Sequence, residues 1–430
     1  MEIKRDKYLQ ELIDRKHNGM VKVVTGIRRC GKSYLLFKLY YDYLISIGVN
    51  KEQIITIALD NVKNMKFRNP LELDKFITEQ ISDNSQQFYV FIDEIQFVKK
   101  EKNPYVEDDY VTFYDVLNGL LNNRNVDIYV TGSNSKMLSK DILTEFRGRG
   151  DEIRVMPLTF LEFMQVFDGD RYDGWLEYYT FGGLPAIVER KTQEQKVFYL
   201  TNLFQETYIK DIIERNHIKY KQELNDLLNI LSSGVGSLTN PSKLENTFKS
   251  VKNVNFSRNT IDNYLEYFED AFLIQKVNRY NIKGKKYINT LSKYYFTDIG
   301  LRNARLNFRQ QEETHIMENI IYNELIYRGF NVDIGIVEIN ERQQNNHYIK
   351  KQIEVDFVAN KGNKRYYIQS AFALPTFEKR EQEERPLNNI NDSFKKIIVV
   401  KERTMLKRDD KGIVTMDIFD FLLNPNSLDL

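Results

Sequence analysis

Residues Gly26–Ser33 read GIRRCGKS and match the pattern G-x-x-x-x-G-K-[ST] in full. They stand between a short apolar run, Met20–Thr25 (MVKVVT), and a helical stretch from Lys32 to about Ile47 that Gly48 closes. Strand, glycine-rich turn and helix N-terminus in that order make a phosphate cradle. The glycines let successive backbone N–H groups wrap an anion, and the helix end adds positive potential. In this frame Gly26, Arg28, Arg29, Cys30, Gly31, Lys32, Ser33 and Tyr34 are the expected nucleotide-binding residues. Lys32 would reach the β- and γ-phosphates, and the Ser33 hydroxyl would ligate Mg²⁺. The sequence leaves two roles open for Arg28 and Arg29, contact with phosphate or with an acidic surface of the same domain.

The same feature fixes what must surround it. Gln53–Leu59, Phe88–Asp93 and Val126–Ser133 are further strand-like runs, and the third of the four strands is apolar almost throughout, as a strand covered on both faces should be. Strands alternating with helical stretches predict an α/β domain with a parallel sheet. FYVFIDEIQ (Phe88–Gln96) ends its strand in two carboxylates. Asp93 at the tip is placed to hold the hydration shell of Mg²⁺, and Glu94 to orient or deprotonate an attacking water. VTGSNS (Val130–Ser135) ends the next strand, so Ser133 or Asn134 is expected to hydrogen-bond the γ-phosphate or that water. Further on, FRGRG (Phe146–Gly150) offers Arg147 and Arg149 to neutralise developing charge, a role often filled from a neighbouring subunit.

Composition limits the alternatives. The 430 residues predict two to four domains, and 62 basic against 61 acidic side chains leave no overall charge to attract an acidic partner. One cysteine rules out a disulfide framework and fits a reducing, cytoplasmic setting. The charged start, MEIKRDKYLQ, has no apolar core of a signal peptide, and no run of apolar residues is long enough to span a membrane. The four histidines are too far apart for metal-ligand spacing.

GIRRCGKS, VFIDEIQ, VTGSNSKML, RGRGDEIRVMPLTFLEF and FGGLPAIV, taken in order, resemble the bacterial and archaeal AAA-type ATPases that carry a following domain named DUF4143. The likeness covers most of the chain. It implies a P-loop AAA-type core over residues 1–155, a helical lid over 156–216, a winged-helix domain over 217–305 and an α/β restriction-endonuclease-like domain over 312–424. With the phosphate motifs, the leading expectation is Mg²⁺-dependent ATP hydrolysis coupled to movement of the later domains. Lys32 and Ser33 carry over to nucleotide binding, Asp93 and Glu94 to hydrolysis, and Gly148–Arg149 to the family's Gly-Arg position, which favours Arg149 over Arg147.

Ser257–Ile274 reads as the second helix of a helix-turn-helix, with Ser257 as N-cap and Ile261, Tyr264, Leu265 and Phe268 facing a core. Residues 217–305 hold 14 Lys/Arg against eight Asp/Glu, yet that helix carries Asp262, Glu266, Glu269 and Asp270. The positive charge lies on the wing, at Lys283, Lys285 and Lys286, so any duplex DNA is expected to be held there with little sequence selectivity. Packing or a protein partner is the equal alternative. In the last section the nuclease-like pattern expects a helical Glu, a strand Asp and a strand Glu-x-Lys. Glu318 and Asp356 stand in order, Glu354 lies close by, but Gln369 and Ala371 replace the second carboxylate and the lysine. Nothing nearby in sequence replaces that lysine, since Lys364 and Arg365 fall at the turn, so no nuclease chemistry is expected. The leading expectation is an ATPase, with homo-oligomerisation open. The alternatives are an ATP-binding scaffold with little turnover and an ATP-dependent nuclease.

Overall fold

A computed structural model describes residues 2–81, 85–133, 146, 148–252, 256–309, 312–342 and 348–430. They form two compact units, one of residues 2–157 with 270–272, the other of 158–269 with 273–430.

The first unit is built on five parallel strands, β1 (Val21–Thr25), β2 (Ile54–Ala58), β3 (Phe88–Asp93), β6 (Val126–Thr131) and β7 (Gly150–Arg154), in the order β2–β3–β6–β1–β7. Two short strands, β4 (Glu101–Lys102) and β5 (Tyr110–Val111), pair separately. Every residue of β1, β3 and β6 is buried, which is why these strands read as nearly unbroken apolar runs. Apart from Asp93 at the tip of β3, two charged residues break the run, Lys22 and Asp127. Lys22 on β1 is fully buried, and its ammonium is paired with Asp127 on β6, with Met20 O 2.9 Å away as a second acceptor. Burial lowers the Lys22 pKa, and Asp127 opposes the shift. An ammonium out of water is tolerated only with such partners. Strand β7 was not expected, because GDEIR has no apolar run; it pairs with β1 along its whole length as a sheet edge.

In the second unit the described residues between 160 and 269 are mostly helical, as their periodicity predicts. The helix Arg258–Asp270 buries Ile261, Tyr264, Leu265 and Phe268, and the Ser257 hydroxyl accepts from Thr260 N–H at 3.3 Å. The FGGLP turn ends the helix Arg171–Phe181, with Gly182 at φ 76°. Asp298 fixes this turn from a distance. One of its oxygens accepts from Gly183 N–H (2.8 Å) and the other caps the helix Ile299–Arg305 through Leu301 N–H (3.0 Å). Eight strands follow: β8 (Ile274–Asn281), β9 (Lys286–Phe296), β10 (Asn331–Arg342), β11 (Tyr348–Lys361), β12 (Lys364–Ala371), β13 (Lys395–Val400), β14 (Lys407–Arg408) and β15 (Ile413–Asp417). They make one sheet ordered β14–β15–β13–β12–β11–β10–β8–β9. The two strands expected to form a wing are therefore its β8–β9 end, joined to the rest where β8 runs parallel to β10.

Candidate active site

The loop after β1 turns into a helix that starts with Lys32–Tyr34 and continues through Leu35–Tyr40 into Tyr41–Ser46. Gly26 sits at φ 139°, and a Cβ there would lie 2.2 Å from Val155 O, so no other residue fits. Gly31, at φ 99°, turns the chain into the helix. Lys32 is buried and donates to the carbonyls of Gly26 (3.0 Å) and Ile27 (3.1 Å), so its ammonium lies inside the loop. Cys30 faces inward, with Sγ 3.4 Å from Val155 O, and contributes only backbone to the loop's outer side. Its carbonyl is held by the buried Arg5, which donates to Cys30 O (3.1 Å) and Met156 O (2.8 Å). Arg28 donates to the Ser133 hydroxyl at 3.2 Å, whereas Arg29 and Tyr34 are exposed.

Ser33 donates to Asp93 Oδ1 at 3.0 Å, across from the P-loop helix to the tip of β3. The Thr131 hydroxyl donates to the same Asp93 oxygen and accepts the Glu94 N–H at 3.0 Å. Glu94 itself adopts a left-handed backbone, φ 55° and ψ 51°, which is strained for a residue with a side chain, and its carboxylate accepts from Gln96. Four polar groups from three neighbouring elements thus converge where β1, β3 and β6 end. Thr131 escaped the sequence reading, which looked two residues further for its polar group. A hydroxyl beside an aspartate in this setting fits hard oxygen coordination of Mg²⁺ completed by phosphate oxygens and water.

Ser133 is buried beside this cluster, while Asn134 and Arg147 lie outside the described residues. Arg149 is elsewhere. It precedes β7, its carbonyl accepts from Val21 N–H at 2.9 Å, and Gly150 pairs with Val21 at the start of β1. The sheet is parallel, so Arg149 stands about 13 Å of strand away from the phosphate loop, at the other end.

The second unit gathers a separate charged cluster. Glu318, on the helix Glu313–Tyr327, accepts at Oε1 from Lys293 (2.8 Å) and from Tyr295 (2.5 Å), both on β9. The Lys293 ammonium is also 2.7 Å from Glu354 on β11. Asp356 Oδ2 accepts from Ser370 N–H at 2.7 Å. Gln369 accepts from Asp356 N–H at 3.4 Å and donates to Glu383 at 3.0 Å, and Ala371 packs in the core. Near Ala371 in sequence no lysine was expected to take the missing place; an ammonium does stand among these carboxylates, that of Lys293, from a strand 25 residues before Glu318. Burial pushes the Glu318 carboxyl up, but the Lys293 ammonium together with hydrogen bonds from His315 and Tyr295 outweighs it and holds the group well below the usual carboxylate range. Burial and the Glu318 charge push Asp356 the other way, well above that range. The Mg²⁺ that a nuclease-like site implies does not fit this arrangement, because an ammonium lies between the carboxylates. Among the described residues no group of three or more His, Cys, Asp or Glu is arranged to hold a metal.

The strand order and the loop after β1 define a P-loop α/β protein of the AAA type. Residues 18–164 match the family model described as AAA domain. Residues 172–312 match one described as a domain of unknown function, DUF8612, where the sequence reading named DUF4143. An uncharacterized protein of Haemophilus influenzae is 32% identical over 426 residues, 98% of each chain. The uncharacterized protein MJ1544 of Methanocaldococcus jannaschii is 32% identical over 379 residues, 84% of this chain and 77% of its own. The chain belongs to the family of AAA-domain proteins that these relatives share. Among solved structures, the Aeropyrum pernix ORC1 protein in complex with DNA is 12% identical, with 71% of this chain and 92% of that one covered and a TM-score of 0.29. AMPPCP-bound DnaA from Aquifex aeolicus is 13% identical, with 61% and 86% covered and a TM-score of 0.31. Likeness at that level transfers no role.

Proposed function

We propose that the first unit binds ATP with Mg²⁺ and hydrolyses it, and that nucleotide state governs the second unit. The observation that carries this reading is the hydrogen-bonded run Ser33–Asp93–Thr131–Glu94, which ties the phosphate loop to a candidate base. Bound Mg²⁺ would neutralise charge on the β- and γ-phosphate oxygens. Ser33 and Asp93 are the groups that would hold it. Lys32 turns its ammonium from the Gly26 and Ile27 carbonyls toward phosphate, and Gly26, Arg28, Arg29, Cys30, Gly31 and Tyr34 line the loop. Glu94 takes the proton from the attacking water, and Ser133 with Asn134 orients the γ-phosphate. Arg28, bonded to Ser133, positions it. Arg149 completes the site from a second copy of the chain. In this reading 156–216 serve as a lid, 217–305 as a winged-helix body and 312–424 as a nuclease-shaped body without nuclease chemistry.

ATP turnover by the full chain tests the proposal. Lys32→Ala should abolish nucleotide binding. Glu94→Gln should keep binding and lower turnover by roughly 10²- to 10⁴-fold, the usual worth of a general base. Slow hydrolysis indifferent to Glu94→Gln would replace this reading with that of an ATP-binding scaffold.

The exposed turn between β8 and β9 favours one addition, contact with duplex DNA. Lys283, Lys285 and Lys286 are exposed there, and Lys283 donates to Glu338 O at 3.0 Å without burying its charge. Binding measured across a salt series should weaken as salt rises, and changing the three lysines to Glu should flatten that slope by about one to three counterions. Equal, salt-insensitive behaviour of both proteins would rule this surface out as the DNA site and leave a protein partner.

A further inference from the structure

We propose that the Glu318–Glu354–Asp356 cluster is a cation site whose resident cation is the chain's own Lys293, and that this ammonium keeps divalent metal out. The inference is independent of the nucleotide site. Lys293 Nζ lies 2.8 Å from Glu318 Oε1 and 2.7 Å from Glu354 Oε1, so it bridges carboxylates from a helix and a strand. Lys293, Glu318 and Asp356 are 4%, 7% and 8% exposed, so water does little to screen them. Two buried carboxylates close together repel each other strongly, so a proton or a cation has to offset their charge, and the Lys293 ammonium is the cation in place.

The neighbours are arranged around an ammonium and not a metal. The Glu318 oxygen that faces Lys293 also takes the Tyr295 hydroxyl at 2.5 Å. Asp356 Oδ2 is occupied by Ser370 N–H at 2.7 Å. The Gln369 amide spans Asp356 N–H and Glu383, so the position where a third anionic ligand would stand is neutral and already bonded. A divalent ion of the Mg²⁺ kind needs oxygens at about 2.0–2.1 Å on all sides, closer than those around Nζ. It could enter only by displacing Lys293, whose four-carbon stem is anchored on β9. A tethered ammonium has no translational entropy to lose on binding, which gives it an advantage over any free ion.

Mn²⁺ binding by the full chain without nucleotide, read by electron paramagnetic resonance, tests this. Wild-type protein should show no Mn²⁺ site that Asp356→Asn removes. Lys293→Met should gain one Mn²⁺ per chain, with a melting temperature that Mn²⁺ raises, and Lys293→Met/Asp356→Asn should lose both gains. A folded Lys293→Met protein that gains no Mn²⁺ overturns the proposal. If Lys293→Met folds only with Mn²⁺ present, the proposal stands. If it does not fold at all, wild type against Asp356→Asn decides alone: Mn²⁺ bound by the first and lost in the second would show that metal and lysine share the cluster, and no difference between them supports the lysine as sole occupant.

Discussion

Thr131 decides more than its size suggests. One hydroxyl gives its proton to Asp93 and receives the Glu94 N–H, and so fixes a carboxylate and a strained backbone together. Val has the same shape and neither bond. Thr131→Val should leave the fold intact, since β6 favours a β-branched residue, and should lower ATP turnover by on the order of tenfold to a hundredfold, as small misplacements of catalytic groups do. Steady-state turnover beside nucleotide affinity checks this, and the loss should fall on turnover. Lys32, Ser33, Asp93 and Glu94 were legible because their motifs are local, each a few residues long beside a strand. Thr131 and Arg5 were not, because what matters about them is which strand ends beside which. Lys293 was invisible for a stronger reason: its partners, Glu318 and Glu354, belong to elements read as a different part of the chain.

At the scale of elements, the apolar runs of β1, β3 and β6 could be read directly, and so could the helix Arg258–Asp270 from its buried face. Strand β7 could not, since Gly150, Asp151 and Glu152 give no pattern and only pairing with β1 makes them a strand. The link between the FGGLP turn and the helix Ile299–Arg305 was equally hidden, because it runs through side chains more than a hundred residues away in sequence, Asp298 on Gly183 N–H and Asn303 on the Tyr179 and Thr180 carbonyls. Burial pushes the Asp298 carboxyl up to about 6. The folded protein thus holds this proton more tightly than the unfolded chain, whose aspartates titrate near 3.9. The stabilisation is fully present below about pH 4 and is lost as pH rises through about 6, amounting to roughly 3 kcal/mol over that range. Asp298→Asn cannot titrate. Unfolding measured at pH 4.5 and 7 should show that the difference between wild type and variant shrinks as pH rises; a difference independent of pH would contradict the assignment.

For the whole molecule, the direction of the first sheet limits how Arg149 could reach ATP. Arg149 and the phosphate loop occupy opposite ends of neighbouring parallel strands, so one copy cannot bring them together. If Arg149 acts on ATP, it acts on the ATP of another copy. Mixing Lys32→Ala protein, inactive for want of nucleotide, with Arg149→Ala protein should then restore activity that neither has alone. Activity no greater than the sum of the two would remove Arg149 from the site.

The pairing of β8 with β10 has a consequence for how the chain comes apart. That seam is short, Arg279–Asn281 against Ile334–Ile336, yet it is where residues before 305 and after 312 become one sheet. A chain ending at 305 would leave β8 with a bare row of N–H and C=O groups, and one starting at 312 would leave β10 likewise. Each fragment would offer an open edge to any strand it met, including its own kind. Cleavage between them is thus expected to yield not two free-standing bodies but two sticky ones.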